Sequence, residues 1–251
     1  MKMPLSVVII TFNEEHNIER CLKSVQNVAD EIVVVDSFST DQTAFICKKY
    51  NVRLLQREFD GYGNQKQFAT KQASFDYILS LDADEVLSKE LEKSILEEKR
   101  KGLYPSYSFN RRNFYCSKAI RYCGWYPDYQ VRLFDRREIH WNDKKVHESI
   151  DSANKKAVFH LKGDLLHYTC NSIAEHQVKE RKYAKMNSEI LIRKGRPIST
   201  LTPYIKGFFR FCKTYFLKLG ILDGYYGLVI SFTLAKSSFH KYEWARKGLR
   251  L

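Results

Sequence analysis

The chain has 251 residues, a formal net charge of +13, 44% hydrophobic residues and 14% aromatic residues. That length holds one large domain or a domain with an appendage, and the apolar content excludes a disordered chain. The charge favours anionic partners: phosphorylated substrates, anionic membrane or nucleic acid.

Met1-Lys2-Met3-Pro4 leads straight into an apolar run that is too short for a secretory leader, and Asn13-Glu14-Glu15 follows at once. Ser6 to Phe12 therefore reads as a first buried strand. Ile18, Cys21, Leu22 and Val25 recur at helical spacing within 15–25, and Ile32 to Val35 form the heart of a second strand, Glu31 to Asp36. Thr40 to Tyr50 reads as a helix capped by Ser39 or Thr40. A short third strand (Val52 to Gln56), a helix (Asn64 to Ser74), a fourth strand (Tyr77 to Leu81) and a charged surface helix (Ser88 to Lys101) follow. Strands alternating with helices predict a parallel sheet with helices on both faces.

Three further strands, Ser106 to Tyr115, Tyr129 to Phe134 and Ala157 to His167, predict a second half that is antiparallel or mixed. From Ser172 the pattern is helical: a long charged helix to Lys194, then breaks at Arg196-Pro197 and Thr202-Pro203. Beyond them Tyr204, Phe208, Phe211, Cys212, Tyr215, Phe216 and Leu219 share one helical face, and Lys206, Arg210 and Lys213 another. Gly224 to Ala235 reads as too uniformly apolar to lie exposed. The expected division is a catalytic domain over 1–170 and a helical, basic and aromatic region over 171–251. No run reaches the roughly 18 uncharged apolar residues of a spanning helix. The six cysteines form no Cys-x-x-Cys pair and read as small core residues of a reducing compartment.

The chemistry gathers at strand ends. The first strand ends in Thr11-Phe12-Asn13-Glu14-Glu15, the second in Asp36-Ser37-Phe38-Ser39-Thr40-Asp41, the fourth in Asp82-Ala83-Asp84-Glu85. In a parallel sheet these ends share one edge, where ligands bind. Two carboxylates one residue apart suit a hard divalent cation, Mg²⁺ or Mn²⁺, that also takes phosphate oxygens. No Gly-x-Gly-x-x-Gly follows the first strand and no P-loop motif occurs, so phosphates must be held through a metal and basic side chains.

These three motifs, in this order, resemble the family 2 glycosyltransferases of the GT-A fold, over about residues 4 to 150. Gly124-Trp125-Tyr126-Pro127-Asp128-Tyr129-Gln130-Val131-Arg132-Leu133-Phe134, with Val146-His147-Glu148, is similar to a narrower subgroup: the bacterial β-1,4-glucosyltransferase-like enzymes of lipopolysaccharide core assembly. The resemblance implies an α/β GT-A fold, Rossmann-like, with a helical C-terminal extension. It implies that Thr11, Asn13, Glu14 and Asp36 line the nucleotide pocket. Asp82 then lies near the ribose and is a metal ligand with Asp84, which ligates a divalent cation bridging the diphosphate. Lys66, in the Gly61-Tyr62-Gly63-Asn64-Gln65-Lys66 helix entry, becomes a diphosphate or base contact, and His167 an additional metal ligand. The reaction implied is inverting transfer of a single sugar, glucose from a UDP-sugar, to a hydroxyl of a lipopolysaccharide-core or other lipid-linked saccharide. The base is Glu148, with His147 orienting it, or alternatively Asp128. The Gln-x-x-Arg-Trp pattern of processive synthases is absent, which favours single addition.

From Tyr204 onward nine Lys and Arg residues stand against Asp223 and Glu243. Interleaved with aromatics, they suit a peripheral contact with anionic lipid on the cytoplasmic face of the inner membrane, or simply helices packed on the catalytic domain with solvated charges. Two other readings are an inactive GT-A scaffold and a nucleic-acid-binding protein. The second lacks any recognisable binding module, so no nucleic-acid partner is expected.

Overall fold

In the computed structural model, residues 3–141, 150–151, 158–195 and 197–248 are described. The first strand, β1 (Leu5–Thr11), is buried along its whole length. Its side chains alternate between two cores, Leu5, Val7 and Ile9 entering one and Val8 and Ile10 the other. A strand covered on both faces reads as a continuous apolar run, which explains the Leu-Ser-Val-Val-Ile-Ile sequence. The helix α1 (Ile18–Val25) buries Ile18, Cys21, Leu22 and Val25 on the first core, as the spacing predicts. After β2 (Glu31–Asp36), α2 is only Thr43–Cys47. Ser39 and Thr40, expected as its caps, bond instead to Asp36 and Asn13, and Gln42 occupies the cap position.

Next come β3 (Arg53–Gln56), α3 (Tyr62–Gln72) and β4 (Tyr77–Asp82). A short strand that periodicity did not reveal, β5 (Glu85–Leu87), follows immediately, and then α4 (Lys89–Lys101), capped by the Ser88 hydroxyl accepting from the Leu91 N–H. The rest of the sheet is β6 (Ser106–Tyr115), β7 (Lys118–Ala119), β8 (Tyr129–Asp135) and β11 (Phe159–Cys170), with β9 (His140–Trp141) and β10 (Ile150–Asp151) forming a separate pair.

The strand order is β3-β2-β1-β4-β8-β6-β11-β5. The first four are parallel; β8 pairs antiparallel with β4 and with β6, and β11 antiparallel with β5. Crossovers run outward from β1 on one side to β2 and β3 and on the other to β4, so the crevice at the carboxyl ends of β1 and β4 is a topological switch point. Fully buried Leu79 lies in this sheet; its replacement by alanine costs about 2–5 kcal/mol.

Two compact units make up the chain, one of residues 1–111 and 128–167, the other of residues 112–127 and 168–251. The second thus starts close to the expected boundary at 170 but also takes in 112–127. Within it α5 (Ile173–Arg193), α6 (Thr202–Cys212) and α7 (Tyr225–Gly248) pack together, α5 and α6 both against α7. A π-helical turn (Lys213–Leu217) and a 3-10 turn (Gly220–Asp223) join α6 to α7. Its core holds Tyr115, Ile120, Cys123, Cys170 and Ile230. The run 224–235 is only half buried: Tyr225, Leu228 and Phe232 face outward. All six cysteines are free, four of them buried. Among the described residues no helix is long and apolar enough to cross a membrane.

Candidate active site

Register brings the strand-end motifs together. Thr11 pairs with Asp36 across β1 and β2, and Ile10 pairs with Asp82 across β1 and β4, so the three motifs emerge at one edge. Two loops there are knitted by side chains. Asn13 takes a left-handed conformation (φ 53°), which asparagine tolerates, and its side-chain oxygen accepts from the Thr40 N–H at 2.8 Å. The Asn13 N–H donates to the Ser39 hydroxyl at 2.8 Å, and the Glu14 N–H to the Thr43 hydroxyl at 2.8 Å. Fully buried Asp36 accepts from the Ser39 hydroxyl at 2.5 Å and from its N–H at 3.1 Å. The intervening Phe38 is left-handed (φ 61°), which strains a residue with a bulky Cβ. Thr11 is buried, and its hydroxyl has no hydrogen-bond partner among the described residues.

A chain of charges starts at the end of β4. Lys66, on α3, is buried and places its Nζ 3.0 Å from Asp82 Oδ1, with the Trp141 ring 5.1 Å away. Arg132, on β8, donates from one Nη to Asp82 Oδ2 at 2.9 Å and to Glu85 Oε1 at 2.8 Å. The second Glu85 oxygen accepts from the Asp82 N–H at 3.0 Å. Arg111, on β6, reaches Glu85 at 3.5 Å and holds Asp128 through two bonds of 2.8 Å each. Gln130 donates to the other Asp128 oxygen at 2.7 Å. Burial opposes ionisation of Asp82, but Lys66 and Arg132 outweigh it and hold this carboxyl well below the usual range.

Asp84 lies one residue beyond. Its Oδ2 is 3.2 Å from His167 Nε2, and neither side chain is fully buried. Antiparallel pairing of β11 with β5 produces this meeting, since His167 pairs with Glu85. Two ligands of one octahedral cation at about 2.1 Å and right angles stand about 3 Å apart, so the carboxylate and imidazole fit the group that the donor chemistry implies. Among the described residues no cluster of three or more His, Cys, Asp or Glu could hold a metal. The protein would supply two ligands and the diphosphate and water the rest, the usual case for Mg²⁺.

The structure thus brings Thr11, Asn13, Glu14, Asp36, Lys66, Asp82, Asp84 and His167 to the edge of one unit, with Asp128 tied in through Arg111. Asp82 is engaged by two cations, which sets it apart from Asp84. Glu148 and His147 lie outside the described residues. Glu85, Arg111 and the role of Arg132 were not visible in the sequence. The available signal was Arg132 itself, a charge inside the apolar strand Val131-Arg132-Leu133-Phe134, which must find a partner when buried. Phe12 and Phe38, exposed at 56% and 49%, are also large apolar groups at the strand ends that the core does not use.

Residues 6–153, more than half of the chain, match the family described as Glycosyl transferase family 2. An uncharacterized glycosyltransferase of Rickettsia bellii is 30% identical over 94% of this chain and 83% of its own length. The lipopolysaccharide core biosynthesis glycosyltransferase LpsC of Rhizobium meliloti is 32% identical over 78% of this chain and 74% of its own. The crystal structure of S. aureus TarS superposes with a TM-score of 0.50 at 20% identity, over 74% of this chain and 40% of that one. That likeness concerns the fold.

Proposed function

Since this chain belongs to glycosyl transferase family 2 and has the GT-A fold, we propose that it is a metal-dependent, inverting glycosyltransferase. It moves one sugar, glucose from a UDP-sugar, to a hydroxyl of a lipopolysaccharide-core or other lipid-linked saccharide. The observation that carries this reading is the Asp84–His167 pair, 3.2 Å apart, beside the Lys66–Asp82–Arg132 ion pairs at the carboxyl ends of the parallel strands. The similarity to LpsC supports the choice of acceptor.

Thr11, Asn13, Glu14 and Asp36 bind the nucleoside. The unsatisfied buried hydroxyl of Thr11 and the strained turn after Asp36 support that role, because such features persist where a ligand uses them. Asp84 and His167 would hold a divalent cation, Mg²⁺ or Mn²⁺, which would supply positive charge beside the departing diphosphate. Asp82 holds Lys66 and Arg132 aimed at the same edge. Lys66 adds positive charge where the leaving group gains negative charge.

In the transfer the acceptor oxygen attacks the anomeric carbon from the face opposite the diphosphate. The new C–O bond forms as the bond to the diphosphate oxygen breaks, and the nucleoside diphosphate leaves with the electron pair. The acceptor proton passes to a carboxylate within hydrogen-bond reach. Glu148 is assigned as that base. Both oxygens of Asp128 are already engaged, by Arg111 and Gln130, which favours a positioning role for it. An acceptor anchored in a bilayer puts the reaction at the cytoplasmic face of the inner membrane.

The test is release of UDP from UDP-glucose, with and without a saccharide acceptor, by the intact protein and by two variants. Asp84→Ala should abolish metal-dependent release, and Glu148→Gln should bind UDP but fail to transfer. Full transfer by Glu148→Gln would move the base to Asp128, and unchanged turnover by Asp84→Ala would remove the metal assignment.

A further inference from the structure

Two helices of the second unit, α6 and α7, carry large apolar side chains on their outward faces. In α6 the residues turned into the unit are small or compact, Pro203 and Gly207, followed by Thr214 in the π-helical turn. A Cβ on Gly207 would stand 3.3 Å from the Ala235 carbonyl oxygen and 3.4 Å from Phe239 Cβ, so α7 lies too near for a larger side chain. The large apolar residues point the other way. Ile205, Phe208 and Phe209 fall at i, i+3 and i+4 on the outer face, and Phe208 and Phe209 are 66% and 65% exposed. Leu217, in the turn that follows, is 80% exposed.

The pattern repeats in α7. Gly227, Ile230, Ser231 and Thr233 are buried, so only one large apolar residue of this stretch is buried, whereas Tyr225, Leu228 and Phe232, at i, i+3 and i+7, are exposed. An ordinary surface helix turns its apolar stripe to the core and its polar face to water. Here two helices of one unit also turn large apolar side chains outward, and apolar surface of this extent marks an interaction site.

Charge identifies the occupant. Between residues 197 and 236 there are five basic residues, Lys206, Arg210, Lys213, Lys218 and Lys236, all exposed, and one acid, Asp223. Asp223 is buried and accepts from the backbone N–H groups of Arg121 and Tyr122, so it does not offset the surface charge. A second copy seated by two-fold symmetry would bring like charges together. An anionic bilayer satisfies both features, apolar side chains entering the acyl boundary while Lys and Arg meet the headgroups.

We propose that the outward faces of α6 and α7, with the turns between them, form a monotopic docking surface for an anionic lipid bilayer. It does not depend on the transfer reaction and is tested without it. The full chain is floated with vesicles of phosphatidylcholine alone and of phosphatidylcholine mixed with phosphatidylglycerol. Binding should favour the mixed vesicles and weaken with added salt. Arg210→Gln with Lys213→Gln should lower partition into mixed vesicles by about fivefold per charge, about thirtyfold together. Phe208→Ser with Phe209→Ser should lower partition further while an unchanged thermal midpoint reports an intact fold. Phe208→Trp should show a blue-shifted emission on mixed vesicles, because the ring leaves water. Failure of the intact chain to float, undiminished binding by the double serine variant, or an unshifted tryptophan would overturn the proposal. A concentration-dependent dimer broken by the serine variant, without vesicle binding, would assign the surface to a second copy instead.

Discussion

Replacing Arg132 by methionine keeps most of the side-chain volume and removes the cation that joins Asp82 to Glu85. The guanidinium is 4% exposed, and one of its nitrogens lies 2.9 Å from Asp82 and 2.8 Å from Glu85. Asp82 keeps Lys66 at 3.0 Å, but Glu85, fully buried, is left with Arg111 at 3.5 Å. Removing one partner of a buried ion pair costs about 3–5 kcal/mol, and the contacts that remain put this case near the lower end, about 3 kcal/mol. That is a large part of a typical stability of about 5–15 kcal/mol. The assay is urea unfolding at neutral pH, where a lower midpoint at constant slope reports lost stability. Adding Glu85→Gln should restore about 2 kcal/mol, since the orphaned charge is removed while the amide oxygen can still accept from the Asp82 N–H. A loss below about 1 kcal/mol, or a Glu85→Gln change that only adds its own penalty, would refute the claim that this charge chain is buried and mutually compensated.

In the second unit, burial pushes His176 down from 6.5 to about 4 while its Nδ1 lies 3.1 Å from the Tyr115 hydroxyl. Between those two values the unfolded chain binds a proton that the folded chain does not, so stability must fall as pH drops through this window. The fall is about 3 kcal/mol in all, and it saturates below the folded value. His176→Gln should flatten that part of the curve in urea unfolding, and an identical slope in the variant would contradict the burial argument. Asp84→Asn and His167→Gln should each weaken Mn²⁺ binding at least tenfold (on the order of an outer-sphere or ligand loss) without moving the unfolding midpoint. Mn²⁺ magnetic resonance in the presence of UDP checks this, and unchanged binding in both would move the metal elsewhere. Lys66→Met should weaken UDP-sugar binding while leaving UMP binding nearly unchanged; equal losses for both ligands would make Lys66 a purely structural partner of Asp82.

The parallel half of the fold was legible because β1, β2 and β4 are buried on both faces, and such strands read as unbroken runs of Val, Ile and Leu. The carboxylates at their ends were equally visible, since Thr11, Asp36 and Asp82 each follow an apolar strand. The meeting of Asp84 with His167 was not derivable from spacing. It depends on β5, three residues long, pairing with β11 about 80 residues away in sequence, and short strands carry too little periodicity to be recognised. Arg111 and Glu85 stayed hidden for the same reason: each is an ordinary charged residue until the antiparallel half places it beside its partner. The membership of 112–127 in the second unit also arises from long-range packing, through Tyr115, Ile120 and Cys123. The run 224–235 was misread because an apolar helical stripe normally predicts burial; for α6, whose apolar face was left open between lipid contact and packing, only the tight approach at Gly207 shows which side is inward.

A nucleotide-sugar site completed by a divalent cation is the centre of the proposed function. The most direct measurement is calorimetric titration of the intact protein with a panel of sugar nucleotides, first with Mn²⁺ and then with a chelator. Saturable binding of a UDP-sugar that is lost with the chelator and lost again in Asp84→Ala is the predicted result. No binding of any sugar nucleotide by the folded protein, or binding that the chelator and Asp84→Ala leave untouched, would contradict it.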